Sequence, residues 1–289
     1  MHGKEQRVLA LDPCAALFPF AQAGAMRPAA FATLRAVPPT LVDDVAQAAL
    51  DLKDSGYMRA SLELSGIVIV GSGSFNPAIF QPHWLERKDL ISSNAAQSAL
   101  SELVVTPDLT AFTADWLSVQ VGLQQLVFAT VDEGRDVDLR DVGRGVLSLL
   151  PETPVDAVGV NADAHFRVES EAQWHALGDT LAPKKLWESV FGASDNDWRH
   201  REDGGFVGLR TMTVETHRTE PLGYVRIEVA PSLRVLPHGV YVGINTHFQL
   251  TEASGDRSNG YEAARALGQH WDATRALERQ LVARLMEEF

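Results

Sequence analysis

Four short apolar runs follow one another closely between residues 101 and 132, and their spacing constrains the fold more than any other feature. They read SELVVTP, TAFTAD, WLSVQVG and QQLVFATVD, and short turn-forming pairs separate them. A parallel connection needs a crossover of a dozen or more residues, usually a helix. The gaps are far too short for one, so the runs predict antiparallel strands.

Helices and longer strands surround these runs. The continuous apolar segment Ile67–Val70 predicts a strand buried on both faces. Apolar residues at helical spacing predict one helix over residues 137–151 and a long helix over 260–286, with Asn259 as its cap. Helices and strands recur in a similar order after residue 169. The sequence therefore predicts an α+β fold of two similar halves, in which helices cover one face of each antiparallel sheet.

The first 57 residues differ from the rest because alanine and proline dominate them. A helix with Thr40 as cap and Gly56 as stop is expected within them. Two interpretations remain open: a helical or disordered extension, or a stretch upstream of a natural start at Met58. The predicted organisation is this extension (1–57), an N-terminal α+β half (58–168) and a C-terminal α+β half with the terminal helix (169–289).

Charge and cysteine content bound the function. The formal net charge of −13 repels phosphate backbones and so disfavours generic nucleic-acid binding, although Arg210, Tyr224 and Arg226 could form a basic and aromatic strip. No apolar run approaches the ~20 residues of a membrane helix. Cys14 is the single cysteine, so no internal disulfide can form and a cytoplasmic location is expected.

The stretch Ile67–Leu85 carries the most suggestive motif. Glycines at 71 and 73 follow a strand as in a dinucleotide fingerprint, but Asn76 stands where the third glycine belongs. The GSFNP turn matches the first motif of nucleotidylyltransferases, yet His83 follows proline rather than glycine and the second motif is missing. We therefore favour a structural turn, with Phe80 and Trp84 packed into the core, and keep a phosphate site as the alternative.

Two strand faces carry the other convergent polar groups. Asp163, His165, Arg167 and Glu169 alternate with apolar residues on one strand, and Tyr241, Asn245 and His247 share a face of another. If the two strands were neighbours, these side chains could line a pocket. No metal-binding or nucleophile motif is present, and the polar loop Asp195–Asp203 lacks the register of a calcium loop.

We predict neither catalytic residues nor a metal or cofactor. The candidate ligand-binding or partner-binding residues are Ser74, Asn76, His83, Trp84, His165, Arg167 and His247.

Several segments resemble a sporadically distributed bacterial family of about this length with no established function. The resemblance covers roughly Leu64–Phe289, and its carriers are FNPAIFQPHWL, VGVNADAHFRVES, FVGLRTMTVET, GYVRIEVAPSL, GVYVGINTHFQL and GYEAARALGQHWDATRALERQLVARL. It implies an α+β fold and a bacterial setting but transfers no catalytic residue. The family's patchy distribution suggests a toxin–antitoxin or phage-defence locus, which is an argument by analogy.

The expected function is that of a cytoplasmic bacterial interaction protein that binds a protein partner, with no catalytic activity evident. The alternative is an enzyme or sensor that binds a nucleotide or phosphorylated small molecule at the turn Gly71–Pro77. The oligomeric state is left open.

Overall fold

The computed structural model describes residues 60–183, 185, 208–251 and 257–287. The extension 1–57 with its expected helix, the second short helix expected after residue 183 and the acidic loop Asp195–Asp203 lie outside the described residues.

The described residues form one mixed-length sheet in which every pairing is antiparallel. Its strands are β1 (Ala60–Gly73), β2 (Val104–Val105), β3 (Leu109–Ala114), β4 (Leu117–Gly122), β5 (Gln125–Thr130), β6 (Pro154–Val168), β7 (Met212–Thr219), β8 (Leu222–Pro231), β9 (Gly239–Gln249) and β10 (Ser258–Asn259). The order across the sheet is β2-β3-β4-β5-β1-β6-β9-β8-β7, and β10 pairs with the start of β6.

Five described α-helices accompany the sheet: α1 (Pro82–Arg87), α2 (Ser93–Ser98), α3 (Asp136–Leu149), α4 (Glu171–Leu181) and α5 (Gly260–Glu287). Short 3₁₀ turns at Pro77–Ile79, Ala99–Ser101 and Glu133–Arg135 precede or follow them. The predicted cap of α5 is present, since Asn259 Oδ1 accepts from the amide of Glu262 at 3.0 Å, and Ser170 Oγ caps α4 by accepting from the amide of Gln173.

The predicted α+β fold is confirmed, and its two halves share a single sheet. In the first half β1, short helices, β3–β5 and α3 follow one another, and in the second half β6, α4, β7–β9 and α5 do the same. Apart from the short edge strand β2, the strand order is symmetric about the β1–β6 pair, with β5, β4 and β3 on one side and β9, β8 and β7 on the other. The repeat of elements therefore begins at Pro154, upstream of the predicted boundary at residue 169.

The core lies on one face of this sheet, where the described helices pack. Ile67 and Ile69 of β1 meet Leu267 and Trp271 of α5 in one buried cluster, together with Phe80. A second cluster joins α4 to the β6–β9–β8 region through Leu177, Phe166, Val225, Val240 and Ile244. The expected packing of Trp84 is also present, because its ring lies 5.9 Å from that of Phe80. None of the described helices is long and apolar enough to cross a bilayer.

Candidate functional site

The other face of the sheet lies outside the two buried clusters in which the described helices pack, and we call it the helix-free face, although several of its side chains are themselves buried, among them Val68, Asp163 and Tyr241. Residues alternate between the two faces along each strand, and paired residues share a face. In the first half this face carries small and apolar side chains such as Val68, Val127 and Ala129. In the second half it carries polar and aromatic side chains: Asn161, Asp163 and His165 on β6, Tyr241, Asn245 and His247 on β9, and Tyr224, Arg226 and Glu228 on β8.

The two polar strand faces expected from the sequence are direct neighbours. In the β6–β9 register His165 pairs with Tyr241, Asn161 pairs with Asn245, and Gly159 pairs with His247. Of the candidate residues, this brings His165, Arg167 and His247 onto one face. The polar and aromatic side chains of the helix-free face are thus concentrated where β6, β9 and β8 run side by side.

Aromatic stacking orders the β8 side of this face. The ring of Tyr224 stacks on that of His247, with centroids 4.6 Å apart and planes 9° apart. The guanidinium of Arg226 lies 4.9 Å from the Tyr224 ring and pairs with Glu215 on β7 at 2.7 Å. Burial lowers the pKa of His247, so its imidazole is held more strongly in the neutral form. The positive charge of Arg226 is compensated within the fold.

The connection between β8 and β9 folds over the end of the helix-free face and holds His165. Ser232 Oγ accepts hydrogen bonds from the amides of Arg234 and Val235, so its own hydrogen is directed at His165 Nδ1, 2.8 Å away. His165 Nε2 then lies 3.6 Å from Asp163 Oδ2. Although Ser, His and Asp lie in line, the serine is buried and capped by two amides. The hydrogen bonds of Ser232 therefore fix its hydroxyl and the His165 ring within the fold.

Arg167 also forms hydrogen bonds to the β8–β9 connection, at the edge of the same face. Its Nη1 donates to the carbonyl of Leu236 at 2.6 Å, and its Nε donates to Glu63 of β1 at 3.2 Å. The side chain thereby ties the β8–β9 connection to β1.

Three oxygen atoms on this face are buried and have no hydrogen-bond partner: Asn161 Oδ1, Asp163 Oδ1 and Asn245 Oδ1. Buried polar atoms in proteins are nearly always bonded, so each exception calls for an explanation. Sequence reasoning did not single out Asn161 or Glu228. The period-two alternation of β6 and β8 was the signal that could have found them.

The turn Gly71–Pro77 is built from internal hydrogen bonds. The amides of Gly73, Ser74 and Phe75 donate to the carbonyls of Gln124, Pro154 and Leu123, respectively, at 2.9–3.0 Å. Asn76 Oδ1 accepts from the amide of Ala78, which makes Asn76 the cap of the following 3₁₀ turn. A phosphate at this turn would have to displace those carbonyls.

Ser74 and Arg257 complete that side of the turn. Ser74 Oγ accepts from Arg257 Nη1 at 2.9 Å, and the same guanidinium binds both carboxylate oxygens of Asp156 at 2.7 and 2.8 Å. This pairing lowers the pKa of Asp156. The candidate residue Ser74 is exposed, and its hydroxyl is already bonded to Arg257.

His83 and Trp84 lie together elsewhere, in a groove of about 470 Å³ between α1 and the end of α3. The groove is lined by Ala78, Ile79, Gln81, His83, Trp84, Arg87, Lys88, Leu149 and Leu150. Its floor is apolar and its rim is basic. His83 is 59% exposed and contacts Glu86 at 3.2 Å.

No protein-family model matches this chain, and no curated protein matches it. Within the described residues, no group of three or more His, Cys, Asp and Glu side chains could hold a metal ion.

Proposed function

We propose that this protein binds a protein partner on the helix-free face, along β6, β9 and β8. The observation that carries the proposal is the set of buried, unpartnered oxygens of Asn161, Asp163 and Asn245 on the helix-free face. A solvated sheet face would expose its polar groups to water. Donors supplied by a partner would satisfy these oxygens.

Composition and breadth favour a protein as the occupant. Two adjacent strands, β8 and β9, carry Tyr224, Arg226 and Tyr241, and tyrosine and arginine are enriched at the centres of protein interfaces. The net charge of −13 opposes nucleic acid. The single cysteine and the family resemblance support our further proposal of a bacterial cytoplasmic setting, with a toxin–antitoxin or phage-defence locus as its context.

The test blocks the middle of the face without disturbing its backbone. Gly159 lies there between His247 and Val70, and a Cβ built on it meets its nearest atom, the carbonyl oxygen of Thr246, at 3.4 Å. The Cβ of Gly159→Trp is therefore at ordinary contact distance, its ring would cover the face, and circular dichroism checks that the variant folds. Ser148→Trp on the exposed side of α3 adds the same ring to the opposite side of the molecule.

The measurement compares proteins captured from native lysate by the full-length wild type and the two variants, with quantitative mass spectrometry. We expect a partner that is retained by wild type and Ser148→Trp and lost by Gly159→Trp. Capture of the same proteins by all three would contradict the proposal, provided circular dichroism shows that Gly159→Trp is folded.

A second candidate function is the binding of a phosphorylated small molecule, and the groove beside α1 favours it. We propose that Arg87 and Lys88, which form no ion pair with a described residue, would hold the phosphate, and that Trp84 would contact an apolar or aromatic part. The volume of about 470 Å³ lies in the range of small-molecule sites. The proposed phosphate site is therefore this groove and not the neighbouring turn Gly71–Pro77.

A thermal-shift series with nucleotides and sugar phosphates tests this candidate. A ligand at 100 times its dissociation constant adds about 2.7 kcal/mol of stability. We expect Arg87→Gln to abolish the shift and Arg210→Gln, an equal charge change at an exposed site, to keep it. A shift that both variants retain would place the ligand elsewhere.

A further inference from the structure

We infer that the helix-free face takes a basic side chain of the partner, lysine or arginine, over Gly243 between Asp163 and Glu228. The inference rests on the proposed function, because it names a chemical feature of the partner at the same face.

The register places two carboxylates on either side of a residue that has no side chain. Gly243 of β9 pairs with Asp163 of β6 on one side and with Glu228 of β8 on the other. Neighbouring strands lie about 4.8 Å apart, so the backbones that carry the two carboxylates are separated by roughly 10 Å. One cationic head group fits between side chains that reach toward each other across this distance.

The unpartnered oxygens surround the same position. Asn245 is two residues from Gly243 along β9, and Asn161 is two residues from Asp163 along β6, so all of them share the face. Asp163 is only 7% exposed, yet its Oδ1 has no partner. Each of these atoms is an acceptor. A cation supplies only donors, and it would satisfy oxygens whose desolvation the folded protein already tolerates.

The two carboxylates make this position negative, and Asp163 contacts the imidazole of His165 at 3.6 Å. Glu228 forms no ion pair with a described residue, and burial raises its pKa. Burial, and then the charges of Asp163 and Glu228, raise the pKa of the Tyr241 hydroxyl. Arg226 pairs with Glu215, and His165 Nε2 approaches Asp163 Oδ2 at 3.6 Å with its other nitrogen held by Ser232. The local field therefore attracts a positive group and repels an acidic one.

The test measures binding of fluorescent pentalysine and pentaarginine amides to the full-length protein by anisotropy, with fully acetylated pentalysine as the uncharged probe. Asp163→Asn and Glu228→Gln each remove one charge and keep the side-chain shape. Glu133→Gln removes the same charge from an exposed turn at the start of α3, on the helix side of the sheet. It controls for general attraction to an acidic protein.

We expect Asp163→Asn and Glu228→Gln each to weaken binding of a cationic peptide about tenfold, the loss of one hydrogen bond to a charged group. Glu133→Gln should bind as wild type does, and acetylated pentalysine should not bind. We also expect Asp163→Asn to raise the melting temperature of the free protein, because it removes a buried charge. A merely structural Asp163 would give a lower melting temperature.

Three results would overturn the inference. The wild type could fail to bind either cationic peptide, the face variants could bind as well as Glu133→Gln does, or Asp163→Asn could retain the lysate partner that Gly159→Trp loses. The last result would leave the proposed function standing. Retention of that partner by both variants would overturn the proposed function as well.

Discussion

At the scale of single residues, Glu278 of α5 shows how burial sets a charge. Its side chain is 1% exposed and accepts a hydrogen bond from Arg275, while Arg279 and Arg275 reach Asp136 at the start of α3. Burial raises the pKa of Glu278 to about 7, against the opposing pull of Arg275 and Arg279. The folded protein thus holds a proton here that the unfolded chain releases at lower pH.

The sign of the pH effect follows from this direction. The contribution of protonated Glu278 to the free energy of unfolding is fully present below the ordinary pKa of 4.5. It is lost as pH rises through about 7. We expect the stability of wild type, relative to Glu278→Gln, to fall between about pH 5 and about pH 8 in urea unfolding. A constant or rising difference would contradict the assigned shift.

The sequence alone could place some residues of the helix-free face but not others. His165 and His247 were found because strands alternate with period two, so their polar faces could be read directly. The roles of Ser232 and Gly243 depend on which strands become neighbours, through contacts between residues far apart in the chain. Ser74 and Asn76 were selected by a motif whose groups the fold uses internally.

At the scale of elements, the end of β1 explains the glycine-rich turn. A Cβ on Gly73 would lie 2.3 Å from the carbonyl oxygen of Pro154, the first residue of β6. That oxygen also accepts from the amide of Ser74. The close approach of two backbones requires glycine at this position.

We therefore expect Gly73→Ala to lower the free energy of unfolding by about 1–3 kcal/mol, because backbone must shift to admit the methyl group. Ser72→Ala, at the exposed neighbouring position, should change it by less than about 0.5 kcal/mol. Urea unfolding measures both. A Gly73→Ala protein as stable as wild type would mean that this contact is not the reason for the glycine.

Element types were predictable where periodicity was strong. The short runs of β2–β5, the helix α3 and the long helix α5 were all expected, since close spacing excludes crossovers and apolar stripes define helices. The pairing of β1 with β6 was not, because both are long, apolar strands with several possible neighbours.

At the scale of the whole molecule, the β1–β6 pair joins the two halves through the centre of one sheet. The pairing runs from Ala60 opposite Val168 to Gly73 opposite Val155. Helices α3 and α5 also pack together, since Gly143 lies close to both Ile69 and Leu267. Because the two halves share this strand pairing and helix packing, neither half should unfold while the other stays folded.

We expect the halves to unfold together. In native-state hydrogen exchange with increasing urea, slowly exchanging amides of β5 and of β9 should converge on one opening free energy. Hydrogen exchange with mass spectrometry of the full chain measures this. Two separate limits, one for each half, would contradict the continuous core.

Photo-cross-linking tests directly whether the helix-free face binds a protein partner. Tyr224 lies on that face beside His247, whereas Tyr261 is exposed at the start of α5 on the other side of the sheet. Each is replaced by p-benzoylphenylalanine in the full-length protein and irradiated in native lysate. We expect a discrete cross-linked partner from position 224 and no cross-link to that partner from position 261. The same partner from position 261 alone, or from neither position, would contradict this expectation.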